Sequence, residues 1–208
     1  MAGNPVYESG SGRPVLVLHG APGPQGARQM VDHLAGVGHV YAPTHPGWED
    51  VPLPEGEVSV PALARRYREL LAELRLEDVL VVGTSFGGWI AAELVAQDAS
   101  AIRGLVLVDS VGIEIPEHPL RMPEGLPLLD AYGKGALTDA TLGPRLAGTT
   151  VPSLVIWGED DPIAPLPYGK AVAASLPGAT FVPIAGAGHV PYRDAPEEVW
   201  AALDRFAG

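Results

Sequence analysis

Four uninterrupted apolar runs, each ending on a small or polar residue, limit the folds open to this chain more than any other feature. They are Val15-Leu16-Val17-Leu18 before His19-Gly20, Val79-Leu80-Val81-Val82 before Gly83-Thr84-Ser85, Gly104 to Val108 before Asp109-Ser110, and Leu154-Val155-Ile156-Trp157 before Gly158. Short runs without polar alternation are the signature of strands buried on both faces. Helical patterns lie between them. Gly26 to Val37 places Met30, Val31, Leu34 and Val37 on one face. Pro61 to Leu76, with Ser59 in its cap region, carries an apolar stripe that includes Leu63, Tyr67, Leu70 and Leu74. Trp89 to Gln97, Lys170 to Leu176 and Pro196 to Phe206 read as further helices, and His39 to Ala42 and Thr180 to Ile184 as further strands. This alternation predicts an α/β protein with a mostly parallel central sheet and helices on both faces. In such sheets ligands bind beyond the carboxyl ends of the strands. His19, Thr44, Ser85, Asp109 and Asp161 all fall at those ends.

The length of 208 residues suits one domain spanning residues 1–208. Residues 110–150 break the alternation, mixing Pro116, Pro119, Pro123, Pro127 and Pro144 with Leu120, Met122, Leu126, Leu128, Leu129 and Tyr132. A stretch this long for a loop, with apolar residues that need something to pack on, is expected to form a short lid insertion over the strand ends. Thirteen basic and 25 acidic residues give a formal charge of −12. Phosphate backbones and anionic lipid surfaces repel such a chain, so neither nucleic acid nor membrane is expected as a partner. The chain has no cysteine, which excludes disulfides, thiolate nucleophiles and cysteine-ligated metals. No apolar run approaches the roughly 18 residues of a membrane span. Met1-Ala2-Gly3-Asn4-Pro5 has neither the basic nor the apolar region of a signal peptide. The expectation is a cytoplasmic globular protein whose partner is a small-molecule substrate.

Gly83-Thr84-Ser85-Phe86-Gly87 stands between an apolar strand and a helix, the arrangement of a nucleophile elbow. The turn lifts the serine hydroxyl clear of the sheet. It demands very small residues two positions before and after, because larger side chains would collide with the adjoining helix and strand. A serine is a weak nucleophile without a base. Of six histidines, His189 in Gly186-Ala187-Gly188-His189 follows the last strand among small residues, where it can fold back over the sheet edge. The base in turn needs an acid to hold its tautomer. Asp161, Asp160 and Asp109, each after a strand, are the available carboxylates. A tetrahedral anion needs preorganised donors. The N–H groups of Phe86, next to the serine, and of Ala21, in the loop after the first strand, suit that task; Pro22 has no N–H to give. His45, Trp48, Leu126 and Tyr132 are candidate pocket residues. No metal and no organic cofactor is called for, since the histidine and acid positions are not expected to form a ligand cluster.

With Ser85, an acid and His189 in that order, the chain resembles the α/β-hydrolase-fold family from about Pro14 to Phe206. The resemblance is carried by His19-Gly20-Ala21-Pro22-Gly23, Gly83-Thr84-Ser85-Phe86-Gly87-Gly88, Gly158-Glu159-Asp160-Asp161-Pro162 and Gly188-His189. In that family the acid stands three residues after the glycine of the third motif, which implies Asp161. The resemblance also implies a small hydrolase with one inserted lid, of the kind that includes esterases and carbon–carbon bond hydrolases. Serine in the nucleophile position argues against the dehalogenase and epoxide-hydrolase branches, which use aspartate there. Two departures stand out. The lid is reduced and the usual leading hairpin is truncated to a remnant around Val6-Tyr7-Glu8. Thr44-His45-Pro46-Gly47 occupies a turn where an aspartate is common. The expected activity is hydrolysis of a small, fairly apolar carboxylic ester. The alternatives are carbon–carbon cleavage with the same residues, or a catalytically weak ligand-binding protein on the same scaffold.

Overall fold

The computed structural model describes residues 5–208; the amino-terminal stretch Met1–Asn4 read above lies outside the described residues. Seven strands form the main sheet: β1 (Val6–Gly10), β2 (Pro14–Leu18), β3 (His39–Pro43), β4 (Val79–Thr84), β5 (Ile102–Val108), β8 (Ser153–Gly158) and β9 (Thr180–Ile184). Their spatial order is β1-β3-β2-β4-β5-β8-β9. Every pairing is parallel except that of β1 with β3. The leading segment is therefore an antiparallel edge strand. It pairs Val6 to Pro43 and Gly10 to His39, so β1 and β2 are sequence neighbours that do not form a hairpin with each other.

Helices α1 (Arg28–Leu34) and α7 (Pro196–Ala207) cover one face of the sheet, and α2 (Val60–Glu73), α3 (Phe86–Gln97) and α6 (Leu166–Ala174) the other. Strand β4 shows why both are needed. Val79 and Val81 pack into the core layer with α2 and α3, while Leu80 and Val82 pack into the layer with α1 and α7, because successive side chains leave a strand on opposite faces. Ser59 caps α2 by accepting the Ala62 N–H at 3.2 Å. Helix α6 begins four residues before the expected Lys170, because Pro167 suits a first turn that has no need of its N–H.

Residues 110–150 carry β6 (Gly112–Ile113), α4 (Pro127–Gly133), β7 (Thr138–Asp139) and α5 (Leu142–Leu146), with β6 and β7 paired in parallel. Leu129, Tyr132, Leu137, Leu142 and Leu146 are buried in the core layer that contains α3. Arg145 of α5 reaches α3, placing its guanidinium on both carboxylate oxygens of buried Glu93 at 2.8 and 2.6 Å. No helix of the described residues is long and apolar enough to cross a membrane.

Candidate active site

The elbow forms where β4 turns into α3. Ser85 has φ 54° and ψ −117°, a region that costs a non-glycine residue about 1–3 kcal/mol. The surrounding sterics enforce it. A Cβ on Gly87 would strike the Leu18 carbonyl of β2, and a Cβ on Gly83 would strike the Gly87 carbonyl. The small residues expected on either side of the serine are thus a packing requirement of two backbones in contact.

His189 arrives from the loop after β9. Its Nε2 lies 2.9 Å from Ser85 Oγ and its Nδ1 lies 2.8 Å from Asp161 Oδ2. A carboxylate only accepts, so Nδ1 carries the ring proton and Nε2 is left to accept from the serine hydroxyl. Asp161 is itself held, since its Oδ1 accepts the N–H groups of Ile163 at 2.8 Å and Ala164 at 3.0 Å. Of the three carboxylates considered, only Asp161 reaches the ring. Asp160 is exposed, although its N–H donates to the Ala187 carbonyl at 2.9 Å and ties the acid turn to the histidine loop. Asp109 is fully buried and accepts backbone N–H groups from Gly158 at 2.9 Å and Val190 at 2.8 Å. Burial, reinforced by the charge of Asp161, pushes its carboxyl up to about 7.

One expectation about metals requires correction. Asp109, Asp161 and His189 bring ligand-type atoms within 4.8 Å of one another, contrary to the expectation that the histidine and acid positions form no ligand cluster. All four carboxylate oxygens already accept hydrogen bonds, three of them shared with backbone N–H groups that anchor the loops and one with His189. The cluster is therefore spoken for by the fold's own donors.

Beside Ser85 lies a cavity of about 280 Å³. Val111, Leu126, Leu129, Leu137 and Ile163 supply its apolar wall, and Gly20, Ala21, Ser85 and His189 its polar side. Arg193, at the rim, is the one permanently charged residue of the lining. Phe86 is buried beneath the elbow. Neither the Phe86 nor the Ala21 N–H has an acceptor among the described residues, so both donors remain open.

Of the four candidate pocket residues, only Leu126 lines this cavity. His45, Trp48 and Tyr132 do not, because their rings pack on one another and on Phe86 behind the loop that follows β2. Trp48 stacks on Phe86 with centroids 5.6 Å apart, and Tyr132 donates its hydroxyl to the Pro46 carbonyl at 3.0 Å. The sequence reading passed over Leu137, Ile163 and Tyr192 as lining residues. Each carried a signal: Leu137 lies in the stretch expected to form a lid, Ile163 stands two residues beyond Asp161, and Tyr192 stands three beyond His189.

The family described as Alpha/beta hydrolase family matches residues 15–148. A 2-hydroxy-6-oxononadienedioate/2-hydroxy-6-oxononatrienedioate hydrolase of Dechloromonas aromatica is 25% identical over 255 aligned positions, covering 96% of this chain and 86% of that protein. Among solved structures, an esterase from Thermogutta terrifontis superposes with a TM-score of 0.75 at 22% identity, covering 97% of this chain and 91% of the other. A meta-cleavage product hydrolase from Pseudomonas fluorescens gives 0.80 at 16% identity, covering 97% and 92%. At those identities the structural likeness concerns the fold.

Proposed function

The chain belongs to the alpha/beta hydrolase family, and from that premise we propose that it is a serine hydrolase acting on small, fairly apolar carboxylic esters. The observation that carries this reading is the continuous hydrogen-bonded series Ser85–His189–Asp161 opening onto an apolar cavity. In the proposed reaction Ser85 Oγ attacks the ester carbonyl carbon and its proton passes to His189 Nε2. Asp161, bound to Nδ1, stabilises the imidazolium that forms. The Phe86 and Ala21 N–H groups receive the carbonyl oxygen as it becomes an anion. Collapse of the tetrahedral adduct expels the alcohol, which takes the proton from His189. A water molecule, deprotonated by His189, then attacks the acyl carbon and releases the acid, returning the proton to Ser85. Residues 110–150 act as a short lid whose Leu126 and Leu129 form the cavity's outer wall.

Carbon–carbon cleavage of a ketone substrate would call for a sealed and polar chamber. The lining here is dominated by aliphatic side chains, which favours an ester. The test is covalent labelling by an alkyl fluorophosphonate. We expect the wild type to label and Ser85→Ala to remain folded and unlabelled. A folded wild type that neither labels nor turns over nitrophenyl esters would refute the reading.

A further inference from the structure

Behind the loop that carries Ala21 lie two buried histidines that the reaction above does not use. His19 and His45 are 1% and 0% exposed, and their rings stack at 3.7 Å. Their hydrogen bonds determine both tautomers. His19 Nε2 lies 3.1 Å from the His45 backbone N–H and must accept, so the proton sits on Nδ1 and is donated to the Gly20 carbonyl at 2.8 Å. His45 Nε2 lies 3.0 Å from the His19 carbonyl, which only accepts, so Nε2 is protonated and Nδ1 accepts the Tyr67 hydroxyl. Both rings are neutral. Burial holds His19 down at about 4, against the pull of its bond to Gly20, and holds His45 well below the usual histidine range, aided by the adjacent His19.

The consequence lies in one peptide unit. The Gly20 carbonyl is gripped twice, by His19 Nδ1–H at 2.8 Å and by the Gly23 N–H at 3.0 Å. The peptide is trans, so the Ala21 N–H on its other side points opposite to that carbonyl. It is left without a protein acceptor on the loop that lines the cavity. The next carbonyl, that of Ala21, is gripped by Trp48 Nε1–H at 2.8 Å. Trp48 also stacks on Phe86, whose N–H is the second donor of the proposed reaction. A rotation of the Gly20–Ala21 peptide would therefore break hydrogen bonds on the buried side.

We propose that the stacked His19–His45 pair, together with Trp48, is a positioning device that aims the Ala21 N–H at the reacting oxygen. His19 grips the peptide, His45 fixes the His19 tautomer through its own backbone N–H, and Trp48 holds the following carbonyl. None of the three touches substrate. This inference rests on the hydrolase reading, and it adds residues whose effect falls on the transition state rather than on substrate binding.

The experiment compares His19→Gln, His19→Asn and Trp48→Phe with the wild type. An asparagine amide can occupy the place of Nδ1 and keep a donor to Gly20, whereas glutamine reaches only the place of Nε2. Removing an oxyanion donor outright costs about 10²–10³ in kcat. For a misaimed donor we expect kcat on a nitrophenyl ester to fall about 10–100-fold in His19→Gln, with KM within about twofold. His19→Asn should recover most of that loss. Trp48→Phe, which keeps the stack on Phe86 and removes the Nε1 donor, should lower kcat about tenfold. Affinity for an alkyl trifluoromethyl ketone, which forms a tetrahedral adduct on Ser85, should fall in parallel with kcat/KM across the series. Folded variants with unchanged kcat, or with ketone affinity that does not follow kcat/KM, would overturn the inference while leaving the hydrolase reading intact. A wild type that neither turns over esters nor labels with fluorophosphonate would overturn both. Trp48→Phe decides the matter if the histidine variants fail to fold, since a Trp48→Phe protein that folds with unchanged kcat overturns the device.

Discussion

Asp109 Oδ2 accepts the backbone N–H of Val190 at 2.8 Å, joining the end of β5 to the residue immediately after His189. Its other oxygen accepts the Gly158 N–H from the end of β8. Val190 sits at φ 77°, in the left-handed region, which is costly for a β-branched residue. The buried carboxyl thus holds a strained turn that delivers the imidazole to Ser85. Asp109→Ala would leave two buried N–H groups unpaired at about 1–3 kcal/mol each. We expect a loss near 3 kcal/mol, to order of magnitude, by urea unfolding, with a fall in kcat as His189 loosens. Unchanged stability in Asp109→Ala would show that the two N–H groups find other partners.

Acid and imidazole burial give opposite pH dependences. His19 is held at about 4, below the usual 6.5. The unfolded chain therefore binds more protons between those values, and stability falls on acidification from pH 6.5 towards 4 by up to about 1.4 kcal/mol per unit. His45 acts in the same direction. Asp109 is raised from 3.8 to about 7, so the native state binds the extra proton there and stability falls as pH rises through that window. In Asp109→Asn the opposing contribution is gone. Its unfolding free energy, measured from pH 7 to pH 4, should drop more steeply than that of the wild type. Parallel curves would contradict the raised value.

Between the proposed acid and its neighbour we expect a sharp contrast. Asp161→Asn retains one backbone acceptor but offers the ring a donor in place of a carboxylate, and it should lower kcat about 10³–10⁴-fold. Asp160→Asn, on an exposed side chain whose backbone makes the useful contact, should stay within about threefold on turnover. Nitrophenyl ester kinetics for both variants supply the ranking, and the reverse order would move the acid role to Asp160.

The strut between the lid segment and the elbow helix offers a test of stability. The Glu93 side chain is 2% exposed and Arg145 grips both of its oxygens, with Gln97 Nε2 adding a bond at 3.0 Å. Breaking a buried pair from one side costs about 3–5 kcal/mol because a charge is left behind. Arg145 is 35% exposed, so Arg145→Met should fall at the lower end of that range by denaturant unfolding. The double substitution Glu93→Gln with Arg145→Met should recover part of the loss. A single Arg145→Met change without effect would mean that water reaches Glu93.

Several features of the fold are set by chemistry between near neighbours in the chain. Thr180 to Ile184 forms a strand with those bounds, and the helix expected from Pro196 differs by one residue at its end, because proline and the apolar period act over a few neighbours. The elbow is equally local, since Gly83, Ser85 and Gly87 lie within five residues and backbone contact excludes anything larger. The mostly parallel sheet was legible from short apolar runs alternating with helical patterns, whereas the spatial order of its strands was not.

Other features depend on groups far apart in the chain. His45 and Trp48, in or beside the proline turn after the second apolar run, and Tyr132, in the expected lid, are the polar and aromatic residues expected in the pocket. They lie behind the loop that follows β2 because their partners are Tyr67, Ala21 and Pro46, and sequence distance carries no record of which face a loop side chain takes. Asp109, Asp160 and Asp161 all follow strands and look alike on paper. Which of them meets His189 was decided by the pairing of β8 beside β5 and β9, which buries Asp109 against backbone donors, leaves Asp160 in solvent and turns Asp161 to the imidazole. The sequence alone determined the strand–helix rhythm and the position of the sharp turn at Ser85, because both arise from steric and hydrophobic preferences between near neighbours. Only the tertiary structure decided which acid reaches the histidine and which aromatic rings pack behind the loop after β2, because those choices are made by side-chain direction and burial across the sheet.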